Sequence, residues 1–223
     1  LLAHLAVAFI LVIIAEIKIT NMYGIFGVNE IPDWASILLS IFTYTVIVNA
    51  FNLVDGVDGL AAGIGSISCL ALGTWFYFAG AEDNAVLAIS LAGALIAFLI
   101  FNFEPARVFM GDSGSLTIGL IISVLSIKLI EYETSDLPAN MLSISKPIFA
   151  MAILSYPLID TLRIFIYRTI NGQSPFSADR NHLHHNLMDL GYSHAKTVII
   201  IYLFSIFMIS MAAFSGIDKN LLF

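Results

Sequence analysis

The chain has 223 residues, 59% of them hydrophobic and only 11% charged, with a mean hydropathy of +0.94, whereas roughly a quarter of the residues in soluble domains carry charge. That balance excludes a soluble globular domain and points to an integral membrane protein. A net charge of −7 without a basic stripe excludes a nucleic-acid partner, though not a small phosphorylated ligand.

In chain order, apolar windows of about 20 residues, the length a helix needs to cross a bilayer, fall at about 1–20, 34–54, 59–79, 84–103, 113–131, 147–168 and 197–215. The period-two alternation of a membrane barrel is missing. The sequence therefore predicts one all-α domain over residues 1–223, a polytopic membrane helix bundle of about seven transmembrane helices. Cys69, the only cysteine, lies inside an apolar window and is assigned to packing. The chain opens Leu1-Leu2-Ala3 inside a hydrophobic run, with no Met and no charged leader, so it reads as lacking its N-terminal helices.

Successive loops must alternate sides, and this sorts the polar residues. One side receives the turn at Asp55 and Asp58, the segment NFEPARVFMGDSGS (102–115) and the long loop after Arg168. The other receives residues 18–33, 80–84 and 131–146. Arg107, Arg163, Arg168, Arg180 and Lys196 fall on the motif side, against Lys18, Lys128, Lys146 and Lys219 opposite, a five-to-four bias that places the motif side in the cytoplasm.

Three stretches could carry chemistry. In NAFNLVDGVDGLAAG (49–63), Asp55 and Asp58 are three apart, as are Asn49 and Asn52, so a helix or tight turn points each pair one way. Asp-Gly is also ordinary turn chemistry, and an ionisable group near hydrocarbon costs about 2.5–3.5 kcal/mol. Both a solvated turn and a functional pair fit. In the second stretch, Asp112 stands at the mouth of a span, with Gly111, Ser113, Gly114 and Ser115 around it and Asn102 and Arg107 before it. It serves equally as a helix N-cap or as part of an anion site at a helix start. The third, SPFSADRNHLHHNLMDLG (174–191), reads as a short amphipathic interfacial helix capped by Ser177 and ended by Gly191. Its Leu183, Leu187 and Leu190 share one face; His182, His185 and Asp189 share the other. His182, His184 and His185 cluster beside Arg180 without any cysteine, and with oxygen ligands elsewhere Mg2+ or Mn2+ suits the site better than zinc. Asp160 and Arg163 are helical neighbours, predicted as an ion pair. His4 and His194 show no pattern. Together the three stretches describe a diphosphate site suited to phosphoryl transfer, with a lipid as one substrate.

In this order the stretches resemble the polyprenyl-phosphate N-acetylhexosamine-1-phosphate transferases. These include the UDP-GlcNAc:undecaprenyl-phosphate transferases that start O-antigen, enterobacterial common antigen and teichoic acid linkage synthesis, and the phospho-MurNAc-pentapeptide transferase of peptidoglycan synthesis. The resemblance covers the chain from the second window onward, and HLHH (182–185) is similar to the His-x-His-His form of the GlcNAc-1-phosphate branch. It implies a Mg2+-dependent enzyme, with Mn2+ as a substitute, in the bacterial inner membrane with its site facing the cytoplasm. Such an enzyme transfers a sugar 1-phosphate, GlcNAc-1-phosphate in that branch, from a UDP-sugar to undecaprenyl phosphate and releases UMP. By the same resemblance Asp112 binds the metal with Asn52, and Asp55 is a catalytic acid position. Gly56, Val57, Asp58 and Phe109 form the uridine pocket, with Asn49, Asn102 and Arg107 as further substrate contacts. Arg180, His182, His184 and His185 grip the diphosphate and sugar. A homodimer is compatible with this reading.

One departure matters: the family carries an adjacent Asp pair just before the helix resembling residues 1–20, and this chain contains no Asp-Asp dipeptide. The expectation is that the piece is inactive without it. Two rivals are an ion-coupled membrane transporter, which would line several mid-span positions with carboxylates, and a CDP-alcohol phosphotransferase-like enzyme, whose later paired aspartates are missing here.

Overall fold

The computed structural model describes residues 2–24, 27–172 and 182–214. Among them the chain is helical, with one isolated antiparallel bridge between Asn21 and Glu30 and no longer strand. Helix α1 (Leu2–Phe9) runs into a π-turn at Ile10–Ile14, followed by α2 (Asp33–Val54), α3 (Leu60–Phe78), α4 (Glu82–Asn102) and α5 (Gly111–Ile130). Then come α6 (Lys146–Ile153), α7 (Ser155–Ile170), α8 (Leu183–Asp189) and α9 (His194–Phe214).

The helix starts follow local chemistry. Pro32 precedes α2 and Asp33 sits in its first turn, while Glu82 and Asp83 open α4; carboxylates there meet the positive end of the helix dipole. Pro147 lies at the start of α6, where its missing N–H costs nothing.

Among the described residues five helices, α2, α3, α4, α5 and α9, are long and apolar enough to cross a membrane, and α6 with α7 makes a sixth if that bent pair is one span. Of the seven expected spans, five or six are thus found among the described residues. The first apolar window yields only a short helix over Ala3–Ile14, because the backbone leaves helical geometry at Glu16, whose φ is +55°. The 147–168 window is bent by 73°. Pro157 explains the break: it cannot donate to the Ile153 carbonyl four residues back. That orphaned oxygen accepts from Ser68 Oγ of α3 at 3.4 Å, as a carbonyl freed within hydrocarbon must.

Lipid tails are as apolar as leucine, so helix association in a membrane relies on close packing and polar contacts. α3 is the most enclosed span, and α4 and α9 the most open to lipid. α2 and α5 press together at Gly119, where an added Cβ would stand 3.0 Å from both the Val48 Cα and the Phe51 Cβ. α7 is inverted relative to a soluble helix. Its Asp160 and Arg168 are buried, whereas Leu162, Phe165, Ile166 and Ile170 are exposed, the pattern expected where polar groups face the bundle and apolar ones the lipid. Cys69 is fully buried, consistent with packing.

Candidate active site

The predicted motifs meet at one end of the bundle, and the helix termini explain how. Asp55 is the residue at which α2 ends, and the chain turns through Gly56–Asp58 to Gly59, whose φ of +81° precedes α3. A side chain is strained in that left-handed conformation, so the turn asks for glycine. The turn is held by its own motif residues. Asp58 Oδ2 accepts from the Ala106 N–H at 2.9 Å, Asn102 Oδ1 accepts from the Gly59 N–H at 3.1 Å, and Asn102 Nδ2 donates to the Val108 carbonyl at 2.9 Å. Asp58 and Asn102, expected as substrate contacts, thus lace the α2–α3 turn to the 103–110 loop. The Tyr202 hydroxyl of α9 donates to the Gly59 carbonyl from a third direction.

That lacing brings the start of α5 against the end of α2. Asp112 is the second residue of α5 and is exposed; Met110, not Asp112, occupies the cap position, so the N-cap alternative does not hold. Asn52 Nδ2 donates to Asp112 Oδ1 at 3.1 Å and to Ser115 Oγ at 3.0 Å. Burial pushes the Asp55 carboxyl up to about 6; the Gly111 backbone N–H pulls it back, and the neighbouring Asp112 carboxylate adds to the rise. Two carboxylates and an amide therefore share one spot, with mutual repulsion that a cation would relieve. Among the described residues, no group of three or more His, Cys, Asp or Glu side chains is placed to hold a metal. Mg2+ nevertheless uses only one or two carboxylates alongside phosphate oxygens and water, and the all-oxygen donors of Asp112 and Asp55 fit it. Asn49 is half-buried one turn behind Asn52. Val57 is buried, Arg107 is exposed, and Phe109 is 76% exposed at the rim.

The histidine stretch arrives from the other flank. His182 caps α8, and the Gly191 N–H donates to the Met188 carbonyl where that helix ends, so the predicted short helix exists over Leu183–Asp189. Ser177 and Arg180 lie outside the described residues. His182 and His184 are stacked with ring centres 5.3 Å apart and planes within 4°, and His185 stands 4.4 Å from His184. His184 is 1% exposed, and an added Cβ on Gly56 would lie 3.2 Å from its Nε2. The imidazole therefore packs on the Asp55–Gly56 turn. Its Nδ1 lies 3.4 Å from the Tyr156 hydroxyl, and burial, then His185, hold its pKa down at about 4. His184 is thus a neutral side chain joining α7, α8 and the turn, while His185 keeps partial exposure.

Asp160 was expected to pair with Arg163; instead its Oδ2 meets His182 Nδ1 at 2.7 Å and its Oδ1 accepts from the Leu183 N–H at 2.7 Å. Helical spacing favoured Arg163, but a histidine 22 residues away is closer in space. Ser115, Tyr156 and Asp160 are the members of this end that sequence reasoning did not assign to the site. Ser115 had a signal, standing one turn after Asp112; the partners of the other two are visible only in the fold.

Known proteins share this arrangement of sequence. Residues 1–130 match the model of the family described as glycosyl transferase family 4. Over 209 residues, 87% of this chain and 50% of the relative, the chain is 39% identical to a decaprenyl-phosphate N-acetylglucosaminephosphotransferase of Mycobacterium tuberculosis. It is 38% identical over 180 residues, 81% of this chain and 48% of the relative, to a probable undecaprenyl-phosphate N-acetylglucosaminyl 1-phosphate transferase of Bacillus subtilis. An undecaprenyl-phosphate alpha-N-acetylglucosaminyl 1-phosphate transferase of Escherichia coli K12 is 29% identical over 208 residues, 89% of this chain and 53% of the relative. The chain spans about half the length of these relatives. An all-helical, multi-pass membrane protein whose three polar motifs close on one another at a single end, matched by this model over more than half its length, belongs to glycosyl transferase family 4.

Proposed function

We propose that the protein transfers an N-acetylhexosamine 1-phosphate, GlcNAc-1-phosphate by the names of its relatives, from a UDP-sugar to a polyprenyl phosphate such as undecaprenyl phosphate. A phosphate oxygen of the lipid attacks the sugar-linked phosphorus, the bond to the uridylyl phosphate oxygen breaks, and UMP leaves with the electron pair. The products are UMP and a lipid diphosphate sugar, the first intermediate of an envelope polysaccharide. The observation that carries this reading is the junction of Asn52, Asp55 and Asp112 at the end of the bundle where α2 stops and α5 starts.

Each residue has a task that its surroundings support. Asp112, with Asn52 beside it, would hold Mg2+, and Asp55 would share it. The ion would supply charge neutralisation for the diphosphate. Asn52 is oriented by both Asp112 and Ser115, so the site is arranged before substrate enters, which is where electrostatic catalysis gains most. Val57 and Phe109 flank the place for uracil, Arg107 stands exposed at the rim, and the α8 histidines close the flank nearest the sugar and diphosphate.

The lipid chain has a place as well. Deeper in the bundle, towards the end away from the motifs, an apolar cleft of about 290 Å3 is lined by Tyr23, by Phe42 and Ile47 of α2, by Ile127 of α5, and by Met151 and Leu158. It suits a few isoprene units lying along the bundle. The five-to-four excess of Arg and Lys on the motif side supports a site facing the cytoplasm.

The deciding experiment replaces Asp112 by Asn and measures UMP release from UDP-GlcNAc in membranes containing polyprenyl phosphate. Loss of release with the protein still inserted is expected; normal turnover would overturn the reading. Metal-dependent ion flux without nucleotide would favour a transporter instead.

A further inference from the structure

The buried carboxylate of Asp160 is left without a task by the transfer reaction as derived above. It lies on α7, 1% exposed, in a segment whose neighbours on the outer face are lipid-exposed apolar side chains. A carboxylate there is costly unless both oxygens are satisfied, and both are: one by His182 Nδ1 and the other by the Leu183 N–H, each at 2.7 Å. The two partners are consecutive residues, the capping residue of α8 and its first helical residue. One turn earlier on α7, the Tyr156 hydroxyl reaches His184 Nδ1. One face of α7 thus fixes the first two histidines of HLHH, and their parallel stack at 5.3 Å follows from being held by groups four residues apart on one helix.

We infer that Asp160 is a positioning residue of the transfer site: it seats α8 and fixes His182 with the proton on Nδ1, so that Nε2 is the nitrogen left to meet the substrate. The chemistry is general. A carboxylate can only accept, so the imidazole nitrogen facing it must carry hydrogen, and the tautomer of a neutral ring is thereby chosen. Carboxylates behind a working histidine act in this way in hydrolases and metal sites. The Leu183 N–H bond adds a second point of attachment, so ring orientation and backbone register are set by the same group. Asp160 acts through His182 and does not itself contact substrate.

The inference rests on the proposed transfer reaction for its kinetic arm alone. Asp160→Asn keeps the shape and can still accept from the Leu183 N–H, but it presents an N–H to His182 Nδ1 and so forces the other tautomer. Expected are a fall in turnover of about 10- to 100-fold, a KM for UDP-GlcNAc within about threefold, unchanged membrane insertion, and substantial recovery in Asp160→Glu. A variant with wild-type turnover, or a loss that appears only as raised KM, would overturn the positioning role. The structural arm needs no variant and no activity. Isotope-labelled imidazole nitrogens in the wild-type protein should report His182 protonated at Nδ1; protonation at Nε2 alone would refute the clamp even if Asp160→Asn fails to insert. A wild-type protein that releases no UMP from any UDP-N-acetylhexosamine would sink the functional reading while the nitrogen spectrum still decides the clamp.

Discussion

Both ends of the bundle carry polar residues, and they use them in opposite ways. At the end away from the motifs, charges and loops close on one another. Lys18 pairs with Asp33, Glu131 accepts from both the Thr20 N–H and its hydroxyl, Lys128 donates to Asn84, and Lys146 to the Tyr132 carbonyl beneath the Tyr23 ring. At the motif end the backbone is laced just as firmly, by Asp58 and Asn102, yet two carboxylates stand side by side. Like charges brought together in a firmly laced scaffold mark where a cationic ligand belongs. Polar content alone would not have told the ends apart.

The sharpest way to break this contrast is Asp112→Asn, expected to lower UMP release on the order of a thousandfold, with Asp55→Asn following at about a hundredfold. Retained activity in both would mean that the carboxylate pair is not the working spot. Gly56→Val comes next. A side chain there meets His184 within 3.2 Å, so turnover should fall at least about tenfold, and Gly56→Ala should lose less because only one methyl must be accommodated. Asn102→Ala should act chiefly on stability. It orphans the Gly59 N–H and the Val108 carbonyl, a cost of about 1–3 kcal/mol that a shifted thermal denaturation midpoint in detergent would reveal. Smaller again is a pH effect. Since the His184 pKa is lowered from 6.5 to about 4, folding excludes its proton. Its contribution to stability is complete above about pH 6.5 and is lost as pH falls towards 4. His184→Gln should flatten that part of a stability–pH curve, and an unchanged slope would contradict the burial. Least affected should be Lys18→Gln at the self-satisfied end, with UMP release within about twofold of wild type; a large loss there would erase the contrast.

Much of this was legible without coordinates. Five of the apolar windows became spanning helices because length and hydropathy are sufficient criteria in lipid. The break at Leu154 escaped because Pro157 sits in a run whose composition still reads as one span, and the carbonyl it frees finds Ser68, 85 residues away. Asp55 and Asp112 announced themselves as carboxylates at span ends beside glycine, and Asn52 as an amide three residues before Asp55. Their neighbours did not sort themselves so easily. Asp58 and Asn102 look like Asp55 and Asn52 on paper, and only hydrogen bonds across 48 and 43 residues show that they also hold the backbone. Likewise the three histidines are chemically alike, and it is Tyr156 and Asp160 on α7 that give them different surroundings.

The bend between α6 and α7 has a mechanical corollary. A straight span has one length, whereas two rigid rods meeting at 73° can match slabs of different depth by flexing at their joint, and the hydroxyl of Ser68 is the pin. Reconstitution in short-chain and long-chain lipids should therefore change the spacing between spin labels at Met151 and Leu162, more so in Ser68→Ala. Labels that hold the same separation in both bilayers would show the elbow to be welded.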